Sequence, residues 1–399
     1  MKLPAAPWQR RPGMGALLRA LGAEAGETRY VGGCVRDTLL GMPVSDVDLA
    51  TRLEPHEVVR RLEAARIRAV PTGLAHGTIT AVSAGQPVEV TTLRRDVSTD
   101  GRHATIAFTQ DWREDAARRD FTINALSADP ASGEVWDYFE GLTDLDARRV
   151  RFIGDPLQRI AEDHLRILRF FRFHARFGQG APDAEGLAAC TARANDLMAL
   201  SRERIADELL KLLALPSPEA TAALMERQGI FRPVVPEIGG EGVARLVRLC
   251  ERERAAGVAA DPLRRLAALL PPDGAVAASV ATRLRLSNKA LKRLTSALGA
   301  EAAVPAEQLA YRIGAAAAVD AILLGDGDPS AAQLLAQWQR PPFSMGGGQL
   351  IAMGLPQGPV VARTLVQIER QWVEEGFPAK DRLHEIARAA VDQALRSSQ

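Results

Sequence analysis

Between about residues 28 and 140 the apolar positions fall in short β-type runs: RYVGG, VDLAT, GTITAV, PVEVTTL and EVWDYF. Gly, Pro and Asp turns separate them, with one helical stretch, PHEVVRRLEAA. From about residue 155 onward Val and Thr thin out, and Leu, Ala and Arg recur at helical spacing with Pro and Gly at the joints. The pattern predicts an α+β protein: a small sheet-bearing domain followed by an all-α remainder. Breakers divide the chain into an extension over 1–27, a first domain over 28–150, and helical segments over 151–215, 216–300 and 301–399.

Composition narrows the picture only a little. The 399 residues are 47% apolar, enough for two to four cores, and no apolar run is long enough for a bilayer span. Cys34, Cys190 and Cys250 are scattered, without zinc-finger or disulfide spacing, and no secretory h-region opens the chain, which points to a cytoplasmic protein. A net charge of +1 neither demands nor excludes a polyanionic partner. The placement of particular arginines and carboxylates decides more.

Tyr30-Val31 leads into Gly32-Gly33 and then Cys34-Val35-Arg36-Asp37, the pattern of a strand, a tight turn and a helix start. Such a turn lets backbone N–H groups approach a phosphate, with the helix N-terminus and Arg36 adding positive potential. By itself the glycine pair is equally an ordinary turn. Nine residues past Asp37 stands Asp46-Val47-Asp48-Leu49; on a strand, residues two apart share a face, so both carboxylates reach one site. Two convergent carboxylates suit Mg²⁺ in two-metal nucleotidyl transfer, the nucleophile being the 3′-hydroxyl of an RNA end. Glu89, in Pro87-Val88-Glu89-Val90, is either a third metal carboxylate or a solvent-facing strand residue.

Arg118-Arg119-Asp120-Phe121-Thr122-Ile123-Asn124 packs two guanidinium groups, a carboxylate and an amide together. The arginines suit triphosphate oxygens, and Asp120 with Asn124 can orient a ribose or anchor the turn. In Glu162-Asp163-His164-Leu165-Arg166-Ile167-Leu168-Arg169, the spacing predicts Glu162, Arg166 and Arg169 on one helix face, where an ordinary surface ion pair is the plain alternative. Adenine and cytosine both offer an exocyclic amino donor beside a ring-nitrogen acceptor, which a carboxylate and a guanidinium satisfy together. Asp163 with Arg166 therefore suits ATP and CTP and leaves GTP or UTP with unpaired buried groups, at roughly 1–3 kcal/mol each.

GGCVRD, DVD, RRDFTINAL and EDHLRILR, in this order, resemble the class II tRNA nucleotidyltransferase and bacterial poly(A) polymerase family, over about residues 28–175. The resemblance implies a polymerase-β-like head followed by an all-α neck, body and tail. It implies that Asp46 and Asp48 bind the catalytic metals and that Gly33, Arg36, Arg119, Arg166 and Arg169 contact the nucleotide. Asp120 would lie near the ribose, and Asp163 with Arg166 would select C and A. The substrates would be CTP, ATP and the 3′ end of tRNA, with Mg²⁺ as cofactor and no membrane or protein partner. The segment GLAHGT (residues 73–78) resembles tRNA enzymes more than poly(A) polymerases, and Ser98–His103 resembles a loop that switches CTP for ATP. No His-Asp dipeptide marks an added hydrolase domain. The rival readings are a poly(A) polymerase, a CC- or A-adding partial enzyme, a silent RNA-binding relative, and a small-molecule nucleotidyltransferase.

Overall fold

The computed structural model describes residues 1–99, 104–300, 304–335 and 337–396. Two compact units divide at Pro236, unit 1 running from Met1 to Pro236 and unit 2 from Glu237 to Gln399.

Unit 1 opens with helix α1 (Met14–Ala20), strand β1 (Thr28–Val31), helix α2 (Gly33–Leu39), strand β2 (Asp48–Thr51) and helix α3 (Pro55–Ala64). It continues through β3 (Arg68–Gly73), β4 (Thr78–Ser83), β5 (Gln86–Thr92), β6 (Arg94–Thr99) and β7 (Ala104–Phe108). Helix α4 (Trp112–Ala117), strands β8 (Ser127–Ala128) and β9 (Val135–Trp136), and helix α5 (Gly141–Asp146) complete the sheet-bearing part. Seven strands form one mixed sheet in the order β3-β4-β5-β2-β1-β8-β9, and β6 and β7 form a separate hairpin. The alternation read from the sequence is what the sheet uses: Leu49, Val88 and Val90 are buried while Glu89 is exposed. Strands β3, β6, β7 and β8 escaped that reading, because sequences such as RAVPTG carry no clean period of two.

Residues 1–27, set apart in the sequence reading, pack into the same unit. The backbone of Leu3 donates to Gly133, Trp8 donates to the Thr38 hydroxyl, and Leu17 is fully buried.

Helices α6 (Pro156–Glu162), α7 (Arg166–Phe177), α8 (Ala184–Ala192), α9 (Arg202–Leu213) and α10 (Glu219–Arg227) form the remainder of unit 1. Helix α6 begins where Asp155 caps the Leu157 N–H ahead of Pro156 at the first turn. It ends at Glu162, because Asp163 is extended (φ −150°, ψ 106°) and its carboxylate accepts the Leu165 N–H. The single helix face expected for Glu162, Arg166 and Arg169 is thus broken: Glu162 closes one helix and Arg166 opens the next. Phenylalanines join α7 to the sheet-bearing part, with Phe121 5.0 Å from Phe152 and 5.1 Å from Phe173, and Phe152 stacked on Phe170 at 5.5 Å.

Unit 2 is helical throughout its described residues, from α11 (Gly240–Ala255) to the last helix, Lys380–Arg396. Arg264 and Arg265, adjacent basic residues of this unit, are buried and donate to Glu253 at 3.0 and 2.9 Å. Arg293 is held by Asp320 and Asp261. These arginines hold helices together. Trp372 is also buried, within a cluster containing Tyr311, Ile368 and Leu383.

Candidate active site

Strand register places the carboxylates. In β1, Val31 pairs with Asp48 of β2, and Asp48 in turn lies opposite Glu89 of the parallel strand β5. Asp46 precedes β2 rather than lying within it, but both aspartates, with Glu89, line one cleft of about 840 Å³. That volume falls in the range of small-molecule sites. Gly32, Gly33, Arg36, Arg119, Asp120, Asn124, Asp163, Arg166, Arg169, Phe173 and Lys211 complete its lining. Every site residue read from the sequence therefore meets here, Glu89 among them. The Ser98–His103 loop reading cannot be placed with them, since Asp100–His103 lie outside the described residues.

Gly32 sits at φ 66°, and a Cβ there would lie 2.9 Å from the Arg119 guanidinium, so the turn must be glycine for Arg119 to pass over it. The Arg36 guanidinium folds back beside the first helical turn, where a Cβ on Gly33 would lie 3.7 Å from its Nη2. It is buried, donates to Asp37 and Asn124, and lies 4.0 Å over the Phe177 ring. Burial lowers its pKa, partly offset by the Asp37 charge.

Arg119 is more loosely held. Its guanidinium reaches Asp115 and the Asn124 carbonyl at 3.4 Å each, while Arg118 bonds Asp115 at 2.9 Å. Burial would raise the Asp115 carboxyl, yet Arg118 and Arg119 outweigh it and the pKa falls. Asp115 thus aims both arginines. The sequence reading passed it over, although its three- and four-residue spacing to Arg118 and Arg119 along a helix was a usable signal.

On the helical side, Asp120 is enclosed. It accepts from Arg169 at 2.7 Å, from the Asn124 amide at 2.8 Å and from the Phe121 N–H at 2.9 Å. Burial pushes its pKa up, but these partners prevail and it stays low. Arg166 donates to Glu162 at 2.7 Å and to the carbonyls of Arg159 and Arg118 at 2.7 and 3.1 Å. Asp163 does not pair with Arg166: both its oxygens accept from Arg204 of α9, at 3.1 and 3.0 Å. Neither set of bonds exhausts its side chain. Three of the five Arg166 N–H donors are committed, and Asp163 Oδ2, which accepts only from Arg204, retains a lone pair, while Oδ1 is filled by Arg204 and the Leu165 N–H.

The carboxylates of β2 and β5 have a different electrostatic setting. Burial, then the charge of Glu89, raises Asp48 to about 6; Arg119 partly offsets this and Asp46 adds to it. Among the described residues neither Asp48 nor Glu89 forms an ion pair, so the three carboxylates attract a cation. No group of three His, Cys, Asp or Glu side chains among those residues closes around a metal position. The arrangement fits a divalent ion that shares its coordination with substrate oxygens, as Mg²⁺ habitually does.

Comparisons with known proteins agree with this geometry. Residues 28–151 match the poly(A) polymerase head domain, and residues 182–239 match the probable RNA- and SrmB-binding site of polymerase A. The mouse mitochondrial CCA tRNA nucleotidyltransferase 1 is 35% identical over 92% of this chain and 87% of its own. The CCA-adding enzyme of Limosilactobacillus fermentum is 32% identical over 94% of this chain and 95% of its own. A crystal structure of the Bacillus stearothermophilus CCA-adding enzyme in complex with CTP superposes with a TM-score of 0.75. It is 25% identical and covers 97% of this chain and 99% of that one.

Proposed function

The chain belongs to the family of CCA-adding tRNA nucleotidyltransferases, and we propose that it adds C, C and A in turn to the 3′ end of tRNA from CTP and ATP. One observation carries the reading: a single cleft gathers the carboxylates Asp46, Asp48 and Glu89, the arginine turn at Arg119, and the pair Asp163 and Arg166.

In each cycle the 3′-hydroxyl oxygen of the RNA attacks the α-phosphorus of the bound nucleotide. The bond to the bridging oxygen breaks, pyrophosphate leaves, and the hydroxyl proton passes to solvent. Asp46 and Asp48, with Glu89 beside them, would hold Mg²⁺, which when bound supplies charge neutralisation on the phosphates and a lowered pKa for the attacking hydroxyl. Arg119 has N–H donors free enough to take triphosphate oxygens, and the Gly32–Gly33 turn leaves room for them. Asp163 accepts from the exocyclic amino group of cytosine or adenine, and Arg166 donates to the adjacent ring nitrogen. Arg204 and Glu162 keep the two side chains in place for this. The Asp120–Arg169 pair braces the arginine turn against α7. No helix of the described residues is long and apolar enough to cross a membrane, and we place the enzyme in the cytoplasm.

The test is a tRNA transcript lacking CCA, incubated with Mg²⁺ and CTP, ATP or both. Growth by two residues with CTP and a third when ATP is added is expected. A long ladder from ATP alone would instead make the protein a poly(A) polymerase, and arrest after CC would make it a partial enzyme.

A further inference from the structure

We infer that Arg159, which neither the motif reading nor the proposed mechanism uses, is a positioning residue that ties base selection at Arg166 to triphosphate placement at Arg119. The inference rests on the nucleotidyltransferase reading above and concerns how one cleft keeps two distant ends of a nucleotide in register.

Arg159 lies in α6 and is 8% exposed. One of its terminal nitrogens, Nη2, donates to two consecutive backbone carbonyls, those of Arg118 and Arg119, at 2.6 Å each. The other, Nη1, donates to Glu162 Oε2. Arg166 closes the circuit. Its Nη1 donates to that same Glu162 oxygen and to the carbonyl of Arg159 itself, both at 2.7 Å, and its Nη2 joins Arg159 on the Arg118 carbonyl at 3.1 Å.

The two shared acceptors make this a linkage. The Arg118 carbonyl and the Glu162 carboxylate each bind both guanidinium groups, so neither arginine can shift without disturbing the other's partners. The carbonyls of Arg118 and Arg119 stand just past the end of α4, where backbone oxygens lack intrahelical donors and the helix dipole favours cations. Arg159 supplies those donors and thereby fixes the backbone from which the Arg119 side chain projects. Arg166, fastened to the same carbonyl, is set at a fixed distance from it. A planar, forked group is needed: a lysine ammonium keeps the charge, but one nitrogen atom replaces two that point to separate partners.

A purely structural arginine and a positioning arginine differ in what their loss changes. The first alters the amount of folded protein, and the second alters the choice of nucleotide. The experiment compares the full-length wild type with Arg159→Lys and Arg159→Ala, measuring kcat and KM for CTP, ATP, UTP and GTP on a tRNA lacking CCA, with melting curves alongside. For Arg159→Lys we expect a melting curve close to wild type and a kcat for CTP lower by about 10- to 100-fold, the scale of sub-ångström to ångström misplacement. We also expect the ratio of kcat/KM for CTP over UTP to fall by roughly tenfold, since the Glu162 carboxylate and Arg118 carbonyl that hold Arg166 are no longer braced by the Arg159 fork. If Arg159→Ala loses its fold, the lysine variant carries the test. A lysine variant whose residual activity keeps the wild-type CTP/UTP ratio overturns the inference, whatever its melting temperature. A wild-type protein that incorporates no nucleotide at all overturns the parent reading together with this one.

Discussion

The two walls of the cleft hold their charges in opposite ways. On the strand side, Asp46, Asp48 and Glu89 converge without cationic side-chain partners at bonding distance among the described residues, and burial with mutual repulsion raises Asp48 to about 6. On the helical side Asp120, Glu162, Arg159, Arg166 and Arg169 are charged and largely buried, yet each is matched. One wall is left electrostatically incomplete, and what completes it is a ligand. The other is complete already and presents a few spare donors and acceptors in fixed positions. Catalytic charge is therefore supplied by what binds, and selectivity by what is already rigid.

The largest expected effect comes from neutralising the strand wall. Asp48→Asn should lower CMP incorporation by about 10³-fold or more, the several kcal/mol that metal-assisted charge stabilisation contributes. The melting temperature of the metal-free protein should hold or rise, because a half-buried carboxylate repelled by two others is gone. A clear drop in melting temperature would break the contrast between the walls. Next is the helical wall, where stability should respond instead. Asp120→Ala leaves Arg169 facing a vacant partner and should cost about 3–5 kcal/mol in a urea titration, the range for breaking a buried pair. A cost within experimental error would show that this wall is not held by its pairs.

The smallest effect is in pH dependence, and its sign follows from the raised Asp48 pKa. The folded metal-free protein holds the Asp48 proton more tightly than the unfolded chain does. This contribution to stability is present below about pH 4 and is lost as pH rises through about 6. Mg²⁺ competes with that proton, so the rise in melting temperature on adding Mg²⁺ should be larger at pH 7.5 than at pH 5.5. An equal rise at both values would mean that Asp48 does not share its site with the cation.

Much of the strand wall was legible beforehand because its information is local. Asp46 and Asp48 are two residues apart, Glu89 sits between buried valines, and the glycine turn stands directly before a helix. What stayed hidden on the helical wall depends on partners far along the chain. Asp163 pairs with Arg204, and Arg159 with backbone oxygens of Arg118 and Arg119. Periodicity also misled where a local hydrogen bond overrode it. The run from Glu162 to Arg169 reads as one helical face, but the Asp163 side chain captures the Leu165 N–H and the chain breaks there. In unit 2 the adjacent Arg264 and Arg265 are buried against Glu253, a pairing that the sequence does not show because it does not reveal which acid a basic residue will meet.

The parallel pairing of β2 with β5 also bears on how the protein is made. Asp48 and Glu89 become neighbours only after a crossover containing α3, β3 and β4 has folded back, and the last residue to line the cleft is Lys211. At 5–20 residues per second, translation from Gly32 to Lys211 takes roughly 10–40 s. Until Lys211 has been added the lining of the cleft is incomplete. Long-range pairing of this kind is slow to form, so competence to bind a nucleotide arrives late and all at once, after the whole of the arginine circuit has been synthesised.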